Sequence, residues 1–179
     1  MYVALSGTPG TGKTSVSEYL RNKGYSVVGL NDLAISNNFI CGIDKKRDSK
    51  ILDINKINNY LLKNMPSSDL HIIEGHASHF LNRIEKVILL RCHPKELTRR
   101  LKKKGWNDQK IKENVEAEAL DIILCEAVEN VGEDNVFEIE TTNMTEKNVA
   151  EEIDYIITHN FKQITKYKVG KIDWSEEII

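Results

Sequence analysis

Gly7-Thr8-Pro9-Gly10-Thr11-Gly12-Lys13-Thr14, preceded by the apolar run Tyr2-Val3-Ala4-Leu5-Ser6, is the stretch on which the fold turns. It matches Gly-x-x-x-x-Gly-Lys-Ser/Thr in full. Its position has mechanical meaning: a short buried strand, Tyr2 to Ser6, runs into it, and an amphipathic helix, Lys13 to Lys23, leaves it and stops at Gly24. Glycines such as Gly10 and Gly12 let the backbone turn sharply and bring its N–H groups close to an anion. The helix that follows points its unpaired N–H groups and the positive end of its dipole at the same place. On this reading Lys13 reaches the β- and γ-phosphates of ATP, Thr14 offers a hydroxyl to Mg²⁺, and Ser15 adds a hydroxyl near the α-phosphate.

Outward from the loop, short apolar runs alternate with longer amphipathic stretches. Strands are predicted at Tyr25 to Gly29, Asp69 to Glu74, Lys86 to Arg91 and Asn135 to Ile139. Helices are predicted at Ile54 to Lys63, Pro94 to Lys104, Asp108 to Asn130 and Thr145 to Phe161, with Pro94 suited to a first helical turn. The alternation predicts an α/β P-loop fold: a five-stranded, mostly parallel sheet with helices on both faces. Two polar stretches interrupt it, Asn31 to Asp53 and the basic Lys102 to Lys112. Insertions of this kind tend to cover the carboxyl ends of parallel strands, where ligands bind. The tail from Gln163 to Ile179 reads as an edge strand or a docked segment.

The composition agrees with one soluble, cytoplasmic domain spanning residues 1–179. With 179 residues the chain is long enough for a real core. A net charge of -2 argues against coating bulk nucleic acid, although basic residues gather in 102–112. Three dispersed cysteines, Cys41, Cys92 and Cys125, make neither a disulfide framework nor a Cys-x-x-Cys zinc site. His76 and His79 lack a third ligand at metal-binding spacing. The guanine-reading Asn-Lys-x-Asp of GTPases is missing, since Asn55-Lys56-Ile57-Asn58 lacks the aspartate and precedes the third strand. Small-molecule kinases are the class that remains.

Beyond the loop, Glu74 ends an apolar strand, where a carboxylate can hold the Mg²⁺ shell or orient a nucleophile. His76, two residues on, can relay a proton from attacking water. Arg100 and Lys104 share one helix face and can neutralise charge on a moving phosphoryl group, whereas Lys103 reads as a solvated lysine or a helper. Lys45, Lys46 and Arg47 are candidates for a second phosphate, and Asp32 and Asp53 for positioning a second nucleotide or a partner. Trp106 reads as a packing or hinge residue.

The loop, Asn31-Asp32-Leu33-Ala34, Asp48 with Ile51-Leu52-Asp53, Glu74-Gly75-His76 and Arg100-Leu101 leading to Lys104-Gly105-Trp106 resemble the ribosome-associated adenylate kinase family, adenylate kinase isoenzyme six. The run Lys110, Asn114, Ala117 and Glu118 continues the likeness, which extends from Met1 to about Ile157. The resemblance implies an adenylate kinase-like fold and transfer of a phosphoryl group from Mg·ATP to AMP or another nucleoside monophosphate. It also implies ATPase activity and a part in small ribosomal subunit maturation through ribosomal protein uS11. It makes Lys13, Glu74, His76 and Arg100 catalytic, residues 31–53 the monophosphate-binding insertion with Asp32, Arg47 and Asp53, and residues 102–112 a short lid. Where the family mostly has Asp-x-His this chain has Glu74-Gly75-His76, and Lys104 stands where many members have arginine. Two other readings stay open: an ATP-gated assembly factor with little kinase activity, and a kinase of another small molecule such as dephospho-coenzyme A.

Overall fold

A computed structural model describes residues 1–44, 49–66, 68–162 and 164–177. In chain order the elements are β1 (Tyr2–Ser6), α1 (Lys13–Asn22), β2 (Ser26–Gly29), α2 (Leu30–Ser36), β3 (Ile40–Asp44), β4 (Ser49–Leu52) and α3 (Ile54–Asn64). There follow β5 (His71–Glu74), β6 (Ile84–Arg91), α4 (Pro94–Lys103), α5 (Asp108–Ala119), α6 (Ile122–Val131), β7 (Val136–Glu140) and α7 (Glu146–Thr158). Five strands form one sheet in the order β2-β5-β1-β6-β7, and all four pairings are parallel. This is the expected fold class.

Side chains of a strand alternate between its two faces, so each central strand feeds two cores. Val3 and Leu5 of β1, Ile88 and Leu90 of β6 and Ile72 of β5 pack with α1 and α7 on one face. Tyr2 and Ala4, Val87 and Leu89, and Ile73 pack on the other face with Leu30, Ile57, Leu61 and Ala127 from α2, α3 and α6. Burying each large apolar side chain is worth roughly 1.5–3 kcal/mol, and both faces contribute. A third, smaller cluster of Cys92, Leu97, Leu101 and Ile111, with Trp106 and Val115 against it, joins α4 to α5.

Two helix bounds are corrected. The helix expected over Asp108 to Asn130 breaks at Asp121, which adopts the left-handed conformation with φ 55°. Short polar side chains tolerate that conformation, and here Arg91 fills the break: its Nη2 donates to the Glu118 carbonyl at 3.1 Å and to the Asp121 carboxylate. The stretch 31–53 contains regular structure, a short helix α2 and the antiparallel hairpin β3–β4. The last long helix ends at Thr158, before Phe161, because Asn160 and Phe161 both have positive φ. The tail is a docked segment. It meets β7 through an isolated bridge, Phe137 to Lys168, and a bond from Gly170 N to Glu138 Oε2 at 2.9 Å, and Ile164 and Tyr167 pack in the core beside Phe137.

Candidate active site

The phosphate loop leaves the carboxyl end of β1, beside the point where the sheet order runs one way to β5 and the other way to β6. Gly7 has φ 138°, and a Cβ there would lie 2.4 Å from the Leu90 carbonyl oxygen of β6. At Gly10, with φ 99°, a Cβ would lie 2.9 Å from methyl groups of Leu97 and Leu101, so the loop is seated directly against α4. Thr8 and Thr11 are buried, and Thr11 Oγ1 donates back to the Thr8 carbonyl at 2.9 Å. Helix α1 begins after Gly12 with no side-chain cap, which leaves its leading N–H groups to an anion.

Lys13 curls across the loop and donates from Nζ to the carbonyls of Gly7 at 2.6 Å and Thr8 at 3.0 Å. Burial lowers its pKa to about 8, opposed by the carboxylates of Glu74 and Glu118 and assisted by Lys104. Thr14 Oγ1 donates to Glu74 Oε1 at 3.5 Å. Parallel pairing brings Glu74 to that distance, because it sits in register with Leu5, two residues before Gly7. Burial raises the Glu74 pKa, and the positive charge of Lys13 opposes the rise; Asp32 and Arg21 also act on it. An exposed hydroxyl and a carboxylate meeting at the mouth of an anion cradle are hard oxygen donors of the kind Mg²⁺ prefers, so the residues fit that ion. Ser15 is exposed at the start of α1 beside Thr14.

His76 is exposed in the turn after β5, and its protein surroundings first and Lys13 second lower its pKa, so its ring is neutral near pH 7. His79, three residues on, is fully buried. Its Nδ1 lies 3.0 Å from Ser6 Oγ and its Nε2 lies 3.3 Å from Glu126 Oε2, while Ser6 Oγ also donates to the His76 carbonyl at 3.2 Å. This buried chain pins the turn carrying His76 to the last residue before the phosphate loop. Burial pushes the His79 pKa down to about 4.

The basic residues separate. Lys104, exposed at the end of α4, lies near enough to Lys13 for its charge to be felt there. Arg100, one turn earlier, is held away from solvent: Nε donates to Glu96 at 2.8 Å and Nη2 to the carbonyls of Thr141 at 2.8 Å and Thr142 at 3.2 Å. Lys103 is exposed. Trp106 packs against the α4–α5 cluster with the Lys110 ammonium 4.4 Å from its ring centre. In the insertion, Asp32 lies within reach of Glu74, whereas Asp53 caps α3, accepting from Lys56 N at 3.0 Å. Lys45, Lys46 and Arg47 lie outside the described residues.

Sequence reasoning gave no role to Arg91, Glu118 and Thr8, which the fold brings together. The signal was present: Glu118 falls on the same helical face as the apolar Ile111 and Val115, and Arg91 directly follows the apolar run Val87-Ile88-Leu89-Leu90. A charge in an apolar phase implies a buried partner.

Comparison with known proteins agrees with this geometry. Residues 3–121 match the family described as an AAA domain. A protein of Methanosarcina barkeri named "Putative adenylate kinase" is 40% identical over 181 residues, covering 97% of each chain. One of the same name from Archaeoglobus fulgidus is 41% identical over 179 residues, covering 99% of this chain and 94% of its own. Among solved structures, shikimate kinase from Acinetobacter baumannii, in complex with shikimate, superposes with a TM-score of 0.61 at 14% identity over 90% of this chain and 95% of its own. Thymidylate kinase from Candida albicans gives 0.58 at 12% identity over 89% and 92%. At such identities these two structures establish the shared fold alone. The chain belongs to this AAA-domain family of P-loop proteins, and to the family of relatives that carry the name "Putative adenylate kinase".

Proposed function

We propose that the protein is a cytoplasmic nucleoside monophosphate kinase that transfers the γ-phosphoryl group of ATP to AMP. The observation that carries this reading is the anion cradle of residues 7–14, with Lys13 turned into it and Thr14 3.5 Å from the strand-end carboxylate Glu74. The names of the relatives support it. In the reaction an oxygen of the AMP phosphate bonds to the γ-phosphorus as the bond from that phosphorus to the β,γ-bridging oxygen breaks, leaving two ADP. The protein's share is positioning and electrostatics. Gly10, Gly12 and the α1 amides hold the triphosphate, Ser15 adds its hydroxyl, and Lys13 exchanges its two carbonyl partners for β- and γ-phosphate oxygens. Thr14 and Glu74 would hold Mg²⁺, which when bound would neutralise phosphate charge. Lys104 supplies positive charge from the lid at 102–112, and Arg100 joins it on releasing Glu96. Residues 31–53 receive the acceptor: Asp32 and Asp53 position it, Asp53 also capping α3, and Arg47 is assigned to its phosphate.

The test is ADP release across AMP, CMP, GMP, UMP and dAMP with a control lacking acceptor. AMP is expected to give the highest rate, and no acceptor raising ADP above the control overturns the reading. Glu74→Gln should lower transfer by about 10²-fold, with folding retained.

A second activity is favoured by the position of His76, exposed, neutral and close enough to Lys13 to be influenced by it. We infer that it orients water for ATP hydrolysis when no acceptor is bound, so His76→Ala should reduce acceptor-free hydrolysis more than ATP binding. Equal losses remove the relay. The ribosomal role implied by the family resemblance belongs to the same reading: the exposed Ile43 and Ile51 of the hairpin would face a protein such as uS11. Pull-down of small-subunit proteins with and without ATP tests it, and no capture in either state overturns it.

A further inference from the structure

We propose that Glu118 is a positioning residue for triphosphate binding, tying the second residue of the phosphate loop to Arg91 and so to the junction of α5 and α6. Glu118 is 3% exposed and both its carboxylate oxygens are engaged. Oε2 accepts from the Thr8 hydroxyl. Oε1 accepts from Arg91 Nε at 3.0 Å and from the Cys92 backbone N–H at 3.0 Å. Arg91 is itself 2% exposed, and its remaining nitrogens donate to Glu138, to Asp121 and to the Glu118 carbonyl. Trp174 of the tail lies over the guanidinium, 4.9 Å from ring centre to Cζ.

Thr8 is where this network meets the phosphate site. Its carbonyl accepts from Lys13 Nζ, Thr11 N and Thr11 Oγ1, while its hydroxyl serves Glu118. The same peptide therefore carries the cation that will hold phosphate and the bond that fixes where that cation starts. Lys13 is faced by Glu74 from β5, Glu118 from α5 and Lys104 from the end of α4. A purely structural ion pair would stabilise the fold and leave nucleotide affinity alone. A pair bonded to the loop changes ATP affinity specifically, because its bond runs to Thr8 of the phosphate loop itself.

In Glu118→Gln the amide oxygen keeps Arg91 Nε and Cys92 N while the amide N–H₂ faces the Thr8 hydroxyl, which must turn from donor to acceptor, so the charge-assisted bond that fixes the loop is lost. Thr8→Val removes the loop's side of the bridge and leaves the Arg91 pair intact. In the full chain, Glu118→Gln and Thr8→Val are each expected to raise the KM and the dissociation constant for Mg·ATP about tenfold, as for loss of a hydrogen bond to a charged group. The KM for AMP should stay within about twofold, and Thr8→Ser should recover most of the ATP loss.

ATP affinity like wild type in a less stable protein, or equal losses for ATP and AMP, overturns the proposal. Should Glu118→Gln fail to fold, the Thr8→Val and Thr8→Ser pair decides, and unchanged ATP affinity in Thr8→Val overturns it. The inference rests on the reading of the loop as an ATP site. A wild-type protein that binds no ATP sinks that reading as well, whereas a wild type that binds and transfers beside unaffected variants sinks this inference alone.

Discussion

Ser6, Thr8, Thr11 and Lys13 are at most 6% exposed, whereas Ile43 and Ile51 on the β3–β4 hairpin are 65% and 47% exposed. Both regions lie among the segments assigned to ligands, yet they are held in opposite ways. The loop is clamped by Leu90 of β6 from one side, by Leu97 and Leu101 of α4 from another, and by Glu118 through Thr8. The hairpin pairs mainly with itself and joins the body at its base, where Asp53 N donates to the Phe39 carbonyl at 2.8 Å and the Phe39 and Tyr60 rings meet at 5.8 Å. The difference assigns different work to each. A rigid cradle presents its donors without reorganisation, and a lightly attached flap is drawn from the low-stability end of the molecule, where closing motions originate.

Substituting Lys13 by methionine should have the largest effect. It removes the cradle's cation, and phosphoryl transfer should fall by about 10²–10³-fold or more while the melting temperature holds, measured by coupled assay and thermal unfolding. An active Lys13→Met protein would break the comparison at its strong end. Gly7→Ala should come next: the new Cβ meets the Leu90 carbonyl at 2.4 Å and the backbone is held at φ 138°, so a loss of about 3 kcal/mol is expected in urea unfolding.

The buried His79 behind the loop gives a pH signature. Its folded pKa of about 4 lies below the ordinary 6.5, so between these values the unfolded chain binds the proton that the folded protein refuses. Stability is therefore full above about pH 6.5 and falls, by about 3 kcal/mol at most, as pH drops to about 4. His79→Gln should flatten that slope, followed by unfolding free energies across the range. The smallest effects belong to the flap. Asp53→Ala should cost about 1 kcal/mol through the lost α3 cap, and Ile43→Ser should stay within about 0.5 kcal/mol; a large loss for Ile43→Ser would show the hairpin to be packed after all.

The sheet was legible because its strands are apolar enough to be buried on both faces, and the loop because its chemistry is contiguous. Glu74 was legible too, since ending the strand beside β1 in register with Leu5 leaves it little choice of neighbour. Arg100 was read as a phosphate ligand, and its bonds to the carbonyls of Thr141 and Thr142, some forty residues away, were beyond any local pattern. The same distance hid the break at Asp121, for helix propensity runs on through it and only Arg91 arriving from β6 makes the left-handed turn stable.

By itself, then, the sequence determined a P-loop α/β sheet, the glycine-rich loop at Gly7 to Thr14 and the carboxylate that ends the neighbouring strand, because each is written in neighbouring residues or in a period of two or 3.6. Only the tertiary structure decided which charges are spent inside the fold and which face the ligand. Arg91 is enclosed by Glu118, Asp121 and Glu138, Arg100 is held on carbonyls, and Lys13 is left with its charge balanced by Glu74 and Glu118. Buried charge is stable only when paired, and pairs form between segments that the chain brings together after folding.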